Sequence, residues 1–71
     1  MSDSDFGTRL KKARKSRKMT QDDVSAKLGI CTCTLRAWEN GRNLPNVIYL
    51  KDLCLVLNVS ANYLLGLKVK N

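Results

Sequence analysis

Apolar side chains recur every three or four residues along most of the chain, which is the spacing of one face of a helix. This pattern predicts five helices and no strands. The first covers about residues 6–17, and the second follows Thr20. The third covers about residues 31–40, and the fourth and fifth follow Asn46 and Ser60. The sequence therefore predicts a compact all-α fold.

Polar residues and glycines mark the ends of these predicted helices. Thr20 is a favourable N-cap, and Asp23 completes a capping-box pattern with it. Gly29 is expected to adopt a positive φ where the second helix ends, and Gly41 is expected to end the third. Because local signals and apolar spacing agree, we expect one folded domain over residues 1–71, with a short polar N-terminal tail and a C-terminal tail.

Two short predicted helices meet at a tight turn within residues 20–45. Val24 and Leu28 form the buried pair of the first of these helices. Leu35 and Trp38 share one face of the second, which favours a core position for Trp38 over base stacking. Two helices joined in this way form a helix-turn-helix, whose second helix enters the major groove of DNA. The sequence thus favours binding of double-stranded DNA.

The charge of the chain agrees with a nucleic-acid partner. Lys and Arg number 13 against 6 Asp and Glu, a net charge of +7, and a small basic domain attracts polyanions. A membrane partner is not expected, because no apolar run approaches the roughly 20 residues that a membrane span requires. We therefore expect a cytoplasmic protein.

Catalysis, metal binding and cofactor binding are not expected. The chain has no His and a single Glu, so no nucleophile–base arrangement or four-ligand metal site is predicted. The cysteines are Cys31, Cys33 and Cys54, and an odd number in helical segments does not predict a disulfide framework. Cys54 is most simply a small core residue, whereas Cys33 on the outer face is a candidate redox sensor.

The chain resembles the lambda-repressor/Cro family of helix-turn-helix domains, also called the xenobiotic-response-element type, over about residues 6–66. The residues that carry the resemblance are Met19-Thr20-Gln21, Val24, Leu28-Gly29, Leu35, Trp38-Glu39-Asn40-Gly41-Arg42, Pro45, Leu57-Asn58-Val59-Ser60 and Leu64-Leu65-Gly66. The resemblance implies a five-helix domain of prokaryotic, phage or plasmid origin that binds operator DNA as a two-fold dimer.

The helix-turn-helix and the resemblance together predict a set of DNA-contacting residues: Arg17, Lys18, Thr20, Gln21, Thr32, Cys33, Thr34, Arg36, Ala37, Asn40, Arg42 and Asn43. The resemblance implies that the third helix reads base edges, that Gln21 contacts phosphate and supports that helix, and that Asn40 and Arg42 hold the DNA backbone. It also implies a structural ion pair between Arg14 and Glu39.

The reading residues of this chain are smaller than is usual in the family. Thr32, Cys33 and Ala37 reach only nearby base edges and methyl groups, which makes contacts with thymine methyl groups plausible. Arg36 is the single long donor on this face, with the geometry to bind guanine O6 and N7 together.

The chain has more apolar residues than a single core needs, and this excess favours a homodimer. The predicted interface residues are Ile48, Tyr49, Leu55, Val56, Leu67 and Val69. A two-fold dimer would place two recognition helices about one DNA turn apart, on an inverted-repeat operator.

A sequence-specific transcriptional regulator, most simply a repressor, is the favoured function, controlled by its concentration, by operator spacing or by a regulatory protein partner. Within the same fold, a DNA-binding antitoxin or a restriction–modification controller is the alternative. An adaptor that binds proteins and not DNA is an alternative of another class, and the charge of +7 argues against it.

Overall fold

A computed structural model of the chain describes residues 3–67, with side chains described from Phe6 onward. They form the helices α1 (Asp3–Ser16), α2 (Gln21–Leu28), α3 (Thr32–Glu39), α4 (Val47–Leu57) and α5 (Ala61–Leu65). No strand occurs between residues 3 and 67, so the predicted all-α fold of five helices is confirmed. α1 begins a few residues earlier than predicted, and α3 begins after Cys31, which serves as its N-cap.

The helix ends form as their sequences predict. The Thr20 hydroxyl accepts the Asp23 N–H at 3.0 Å, and the Asp23 carboxylate accepts the Thr20 N–H at 2.9 Å. Asn46 and Ser60 cap α4 and α5 in the same manner. Gly29 ends α2 with φ of 71°, a left-handed conformation that glycine adopts without steric cost. The turn that leads from α2 to α3 therefore forms through contacts between residues that are close in the sequence.

A single apolar core joins all five helices. Its buried members are Phe6, Leu10, Ala13, Val24, Leu35, Trp38, Leu53, Leu57 and Leu64. α1 packs against α3 and α5, and α2 packs against α3 and α4. Trp38 is 4% exposed and its ring lies 5.7 Å from that of Tyr49, which agrees with its predicted place in the core.

Gly7 sets the distance between α1 and α3. A Cβ atom at this position would collide with the backbone carbonyls of Trp38 and Glu39. Glycine within a helix costs up to about 1 kcal/mol relative to alanine, and here it permits a close approach that a side chain would prevent. The C-terminal end of α3 is thus pressed directly on α1.

The helices of the described region are all too short or too polar to cross a membrane.

Candidate nucleic-acid interface

A cluster of charged and polar side chains holds the C-terminal end of α3. Arg14 of α1 binds Glu39 through two hydrogen bonds, Nε to Oε2 at 2.7 Å and Nη2 to Oε1 at 3.2 Å. Its remaining nitrogen donates to the Met19 carbonyl at 2.9 Å. Gln21 donates from Nε2 to Glu39 Oε1 at 3.1 Å. The ion pair that the resemblance implied is therefore present, and Gln21 supports α3 from the start of α2.

Glu39 is structural because its carboxylate is buried and fully engaged. Arg14 and Glu39 are only 7% and 8% exposed. Both carboxylate oxygens accept hydrogen bonds from within the domain. A buried charge without its partner is costly, so the pair fixes how α1 and α3 meet.

Hydroxyl groups hold the N-terminal end of α3 against α2. Thr32 donates from Oγ1 to Asp22 Oδ1 at 2.8 Å, and Ser25 Oγ lies 3.1 Å from Thr32 Oγ1. Ser25 is 3% exposed and also donates to the Asp22 carbonyl at 3.1 Å. The hydroxyl proton of Thr32 is therefore committed within the protein.

One face of α3 is exposed. Cys33, Arg36, Ala37 and Asn40 follow one another at helical spacing and form a stripe opposite the core side chain of Leu35. Ala37 is half-buried, and the other three residues of the stripe are exposed. Within residues 6–67, no hydrogen bond or ion pair engages the side chain of Arg36. We call these four residues the recognition stripe.

Thr34 lies beside the recognition stripe rather than on it. Successive residues turn by about 100° on a helix, which places Thr34 nearer to the Trp38 side. It is half-buried. Of the two threonines of α3 that were predicted to contact DNA, Thr32 faces α2 and Thr34 flanks the stripe.

Cys31 and Cys33 differ from the expectation of unpaired cysteines, because the structure joins them in a disulfide. Their Cα atoms are 5.2 Å apart. Cys31 Sγ also accepts the Cys33 N–H at 3.3 Å and so caps α3. The odd number of cysteines did not indicate a bond. The signal was the spacing of Cys31 and Cys33, which lie two residues apart at the start of a helix. Cys54 is the third cysteine, half-buried against the core, where burial raises the pKa of its thiol.

The residues predicted to contact phosphate lie in the turn before α2 and in the loop after α3. Arg42 and Asn43 are exposed in the loop after α3, and the Arg42 N–H donates to the Ala37 carbonyl at 2.9 Å. Thr20 is exposed at the start of α2. Lys18 is exposed in the turn before it, with φ of 56°. A left-handed lysine is uncommon, and here it ends α1.

Arg17 is oriented by a contact that sequence reasoning missed. Its Nε donates to the Leu57 carbonyl at 2.9 Å, at the C-terminal end of α4. A shallow cavity of about 400 Å³ lies beside it, between the end of α1 and the turn that joins α4 to α5. One nitrogen of this predicted DNA-contacting side chain is thus tied to α4.

The residues predicted for a dimer interface fall into two groups. Ile48, Leu55 and Leu67 are 69%, 70% and 53% exposed. Tyr49 and Val56 are half-buried against the core of the domain itself, so only part of each is available. Val69 lies outside the described residues. Other exposed apolar residues that the prediction did not include are Leu44, Val47 and Tyr63.

Comparisons with known proteins identify the family of the fold. The sequence profile of a helix-turn-helix family, HTH_3, matches residues 10–64. YqaE, an uncharacterised HTH-type transcriptional regulator of Bacillus subtilis (strain 168), is 40% identical over 60 residues, which cover 84% of this chain and 52% of YqaE. The chain thus spans about half the length of YqaE. YazB, a second such regulator of the same organism, is 36% identical over 59 residues, which cover 83% of this chain and 86% of YazB.

Solved structures share the fold. The restriction-modification controller protein C.AhdI from Aeromonas hydrophila has a TM-score of 0.81 at 19% identity, over 87% of this chain and 94% of its own. Apo-HppE has a TM-score of 0.80 at 26% identity, over 100% of this chain and 45% of its own. The family profile covers most of the chain, and both relatives match it over more than four-fifths of its length. The chain therefore belongs to the Cro/C1-type helix-turn-helix family.

Proposed function

We propose that the chain is a sequence-specific DNA-binding transcriptional regulator that reads the major groove with the recognition stripe of α3. The observation that carries the proposal is the exposed Arg36, whose donors are unused within the described residues, on the second helix of a helix-turn-helix. Membership of the family, the net charge of +7 and the HTH-type relatives support it.

Base reading falls to the recognition stripe. Arg36 has the planar, forked donors that bind guanine O6 and N7 together. Ala37 and the methyl group of Thr32 are suited to thymine methyl groups, because neither offers a free donor there. Cys33 and Asn40 stand at the two ends of the stripe, and Asn40 is the one whose side chain is free to reach a neighbouring base pair or phosphate.

Phosphate contacts position the protein on the duplex and carry most of the salt dependence. Lys18 and Thr20 lie just before α2, which contacts the C-terminal end of α3 through Gln21, and Arg42 and Asn43 lie in the loop after α3. Gln21 keeps one amide proton beyond its bond to Glu39, which suits a phosphate oxygen. Arg17 adds positive charge to the domain, while its Nε donates to the Leu57 carbonyl.

The regulator acts as a two-fold homodimer through its exposed apolar residues. Ile48 and Leu55 lie seven residues apart on one face of α4, where each exposes most of its surface. Burial of this face against its own copy would remove apolar surface from water and place two α3 helices on one side of the duplex. A dimer bound over a promoter would repress by excluding the polymerase.

Selection of binding sites from random duplex DNA tests the proposal. We expect an enriched inverted repeat with half-sites about 10 base pairs apart. A single enriched half-site would retain the regulator and reject the dimer. If no duplex is enriched at low salt, the DNA-binding proposal is wrong, and an adaptor that binds proteins becomes the better hypothesis.

Variants of Arg36 and Arg42 then distinguish a contact that reads a base from a contact that binds the phosphate backbone. Arg36→Ala should cost about 1–3 kcal/mol on the selected site and relax the sequence at one position. Arg42→Ala should weaken all duplexes alike and lower the salt slope by about 1. Lys11→Ala is the matched control, because it removes the same charge from the exposed side of α1. Equal losses from Arg36→Ala on all duplexes would contradict base reading.

A further inference from the structure

The start of α3 carries a pair of cysteines that the proposed function does not require. Cys31 and Cys33 are both exposed, and their sulfur atoms are joined in the structure. Their Cα separation of 5.2 Å lies within the range of about 4.4–6.8 Å that a disulfide spans without moving the backbone. The backbone therefore holds the two cysteines at a separation that a disulfide spans.

The position of the pair favours its oxidation over that of the third cysteine. Both sulfurs lie at the N-terminus of α3, where free N–H groups and the helix dipole stabilise a thiolate. Arg36, one turn along, adds positive charge. Cys54 lies half-buried on α4 with its thiol pKa raised by burial. The reactive form of cysteine is the thiolate, so the exposed pair should react first.

We propose that Cys31 and Cys33 are a reversible oxidation site through which a peroxide-class oxidant weakens DNA binding. One thiolate attacks the peroxide, whose O–O bond breaks, giving a sulfenic acid and hydroxide. The second thiol displaces the sulfenic oxygen as water and forms the S–S bond. The pair loses two electrons, which the peroxide takes up, and the proton of the second thiol leaves in the water, so that the products are the disulfide, one water and one hydroxide. A dithiol reductant reverses the step by exchange.

The effect on DNA binding rests on the proposed function, because it needs the recognition stripe to meet the duplex. In the disulfide, the sulfur of Cys33 is tied to the N-cap residue and cannot extend to a base edge. Reduction frees this side chain at the end of the stripe that enters the groove first. Loss of one base contact corresponds to about a tenfold loss of affinity.

The coupling is reciprocal. If the disulfide lowers the affinity for DNA by about tenfold, bound DNA must favour the dithiol over the disulfide by the same factor. The cysteine pair would then be protected from oxidation on its operator. The free protein, in contrast, would be inactivated.

The experiment uses the full chain and hydrogen peroxide. Intact mass after alkylation reports how many thiols remain, and fluorescence anisotropy with a selected duplex reports affinity for the reduced, oxidised and re-reduced protein. Cys31→Ser is the sharpest variant, because serine is a favourable N-cap and preserves the start of α3. Cys33→Ser removes the other half of the pair. Cys54→Ala is the matched control, since it leaves the pair intact.

The expected result is loss of two alkylatable thiols and about tenfold weaker binding, both restored by a dithiol. Either serine variant should bind DNA with the same affinity before and after peroxide, whereas Cys54→Ala should respond like the parent chain. A disulfide that forms without a change in affinity would overturn the regulatory role. Oxidation of Cys54 before the pair would overturn the site itself.

Failure of the proposed function would look different. A reduced chain that binds no duplex refutes DNA binding and, with it, the control of DNA binding. The mass measurement would still report whether peroxide joins Cys31 to Cys33, because it needs no DNA.

Discussion

At its C-terminal end, α3 is held by a buried charge cluster, whereas its N-terminal end is held by hydroxyl groups and a sulfur at the surface. Glu39 takes three hydrogen bonds from Arg14 and Gln21 and is 8% exposed. Thr32 and Cys33, in contrast, bind Asp22 and Cys31, which are exposed residues. The C-terminal end therefore fixes the fold, and the N-terminal end is the part that we propose reads DNA and responds to an oxidant.

The largest effect is expected at the buried ion pair. Glu39→Gln leaves the Arg14 guanidinium buried without a counter-charge, which should cost about 3–5 kcal/mol in the free energy of unfolding. Much of the fold of so small a domain would be lost at room temperature. Urea unfolding followed by circular dichroism measures the loss.

A double variant sharpens this prediction. Arg14→Met with Glu39→Met replaces the pair by apolar side chains of similar length. It should recover part of the lost stability, since such replacement of a buried pair is often neutral or stabilising. A single Glu39→Gln variant that loses less than about 1 kcal/mol would contradict a structural role for the cluster.

The second largest effect on stability is expected at Gly7, where α1 closely approaches the C-terminal end of α3. Gly7→Ala should destabilise the domain by about 1–3 kcal/mol, because the new methyl group overlaps the Trp38 and Glu39 carbonyls. Helix propensity alone predicts the opposite sign, a gain of about 1 kcal/mol. Thermal unfolding distinguishes the two. Lys12→Ala, at an exposed position of α1, is the control and should change stability little. A gain in stability for Gly7→Ala would show that α1 and α3 lie farther apart.

The third effect lies at the N-terminal end. Thr32→Val keeps the shape and the methyl group but removes the hydroxyl that binds Asp22, which should cost about 1 kcal/mol of stability. DNA affinity should change little if the methyl group is what faces the duplex. Thr32→Ser keeps the hydroxyl and removes the methyl group, and should bind DNA more weakly. Anisotropy titrations of both variants on one duplex give the order, and a weaker Thr32→Val would mean that the hydroxyl reads DNA.

The sequence sufficed for the parts of the fold that depend on neighbouring residues. Thr20, Gly29, Asn46 and Ser60 mark their helix ends because caps and left-handed turns involve atoms only a few residues apart. The apolar spacing placed Trp38 in the core for the same reason. The helix order and the all-α class follow from these local rules.

The sequence did not reveal contacts between distant segments. Nothing near Gly7 indicates that the end of α3 will press on it. The binding of Arg17 to the Leu57 carbonyl joins residues forty positions apart. The engagement of Thr32 by Asp22 depends on the angle between α2 and α3. The Arg14–Glu39 pair was anticipated only because the family resemblance implied it.

The smallest effect concerns the capping box that begins α2 and so supports Gln21 beneath the C-terminal end of α3. The hydrogen bond from the Thr20 N–H, and then that from its hydroxyl, hold the pKa of Asp23 below its ordinary value. A carboxyl with a lowered folded-state pKa stabilises the fold above its unfolded pKa, and this contribution is lost as the pH falls through the folded value. Urea midpoints of the parent chain and of Asp23→Asn, measured from about pH 6 to about pH 2, should therefore converge in acid. A difference that stays constant over this range would show that the Asp23 carboxylate contributes nothing to the cap.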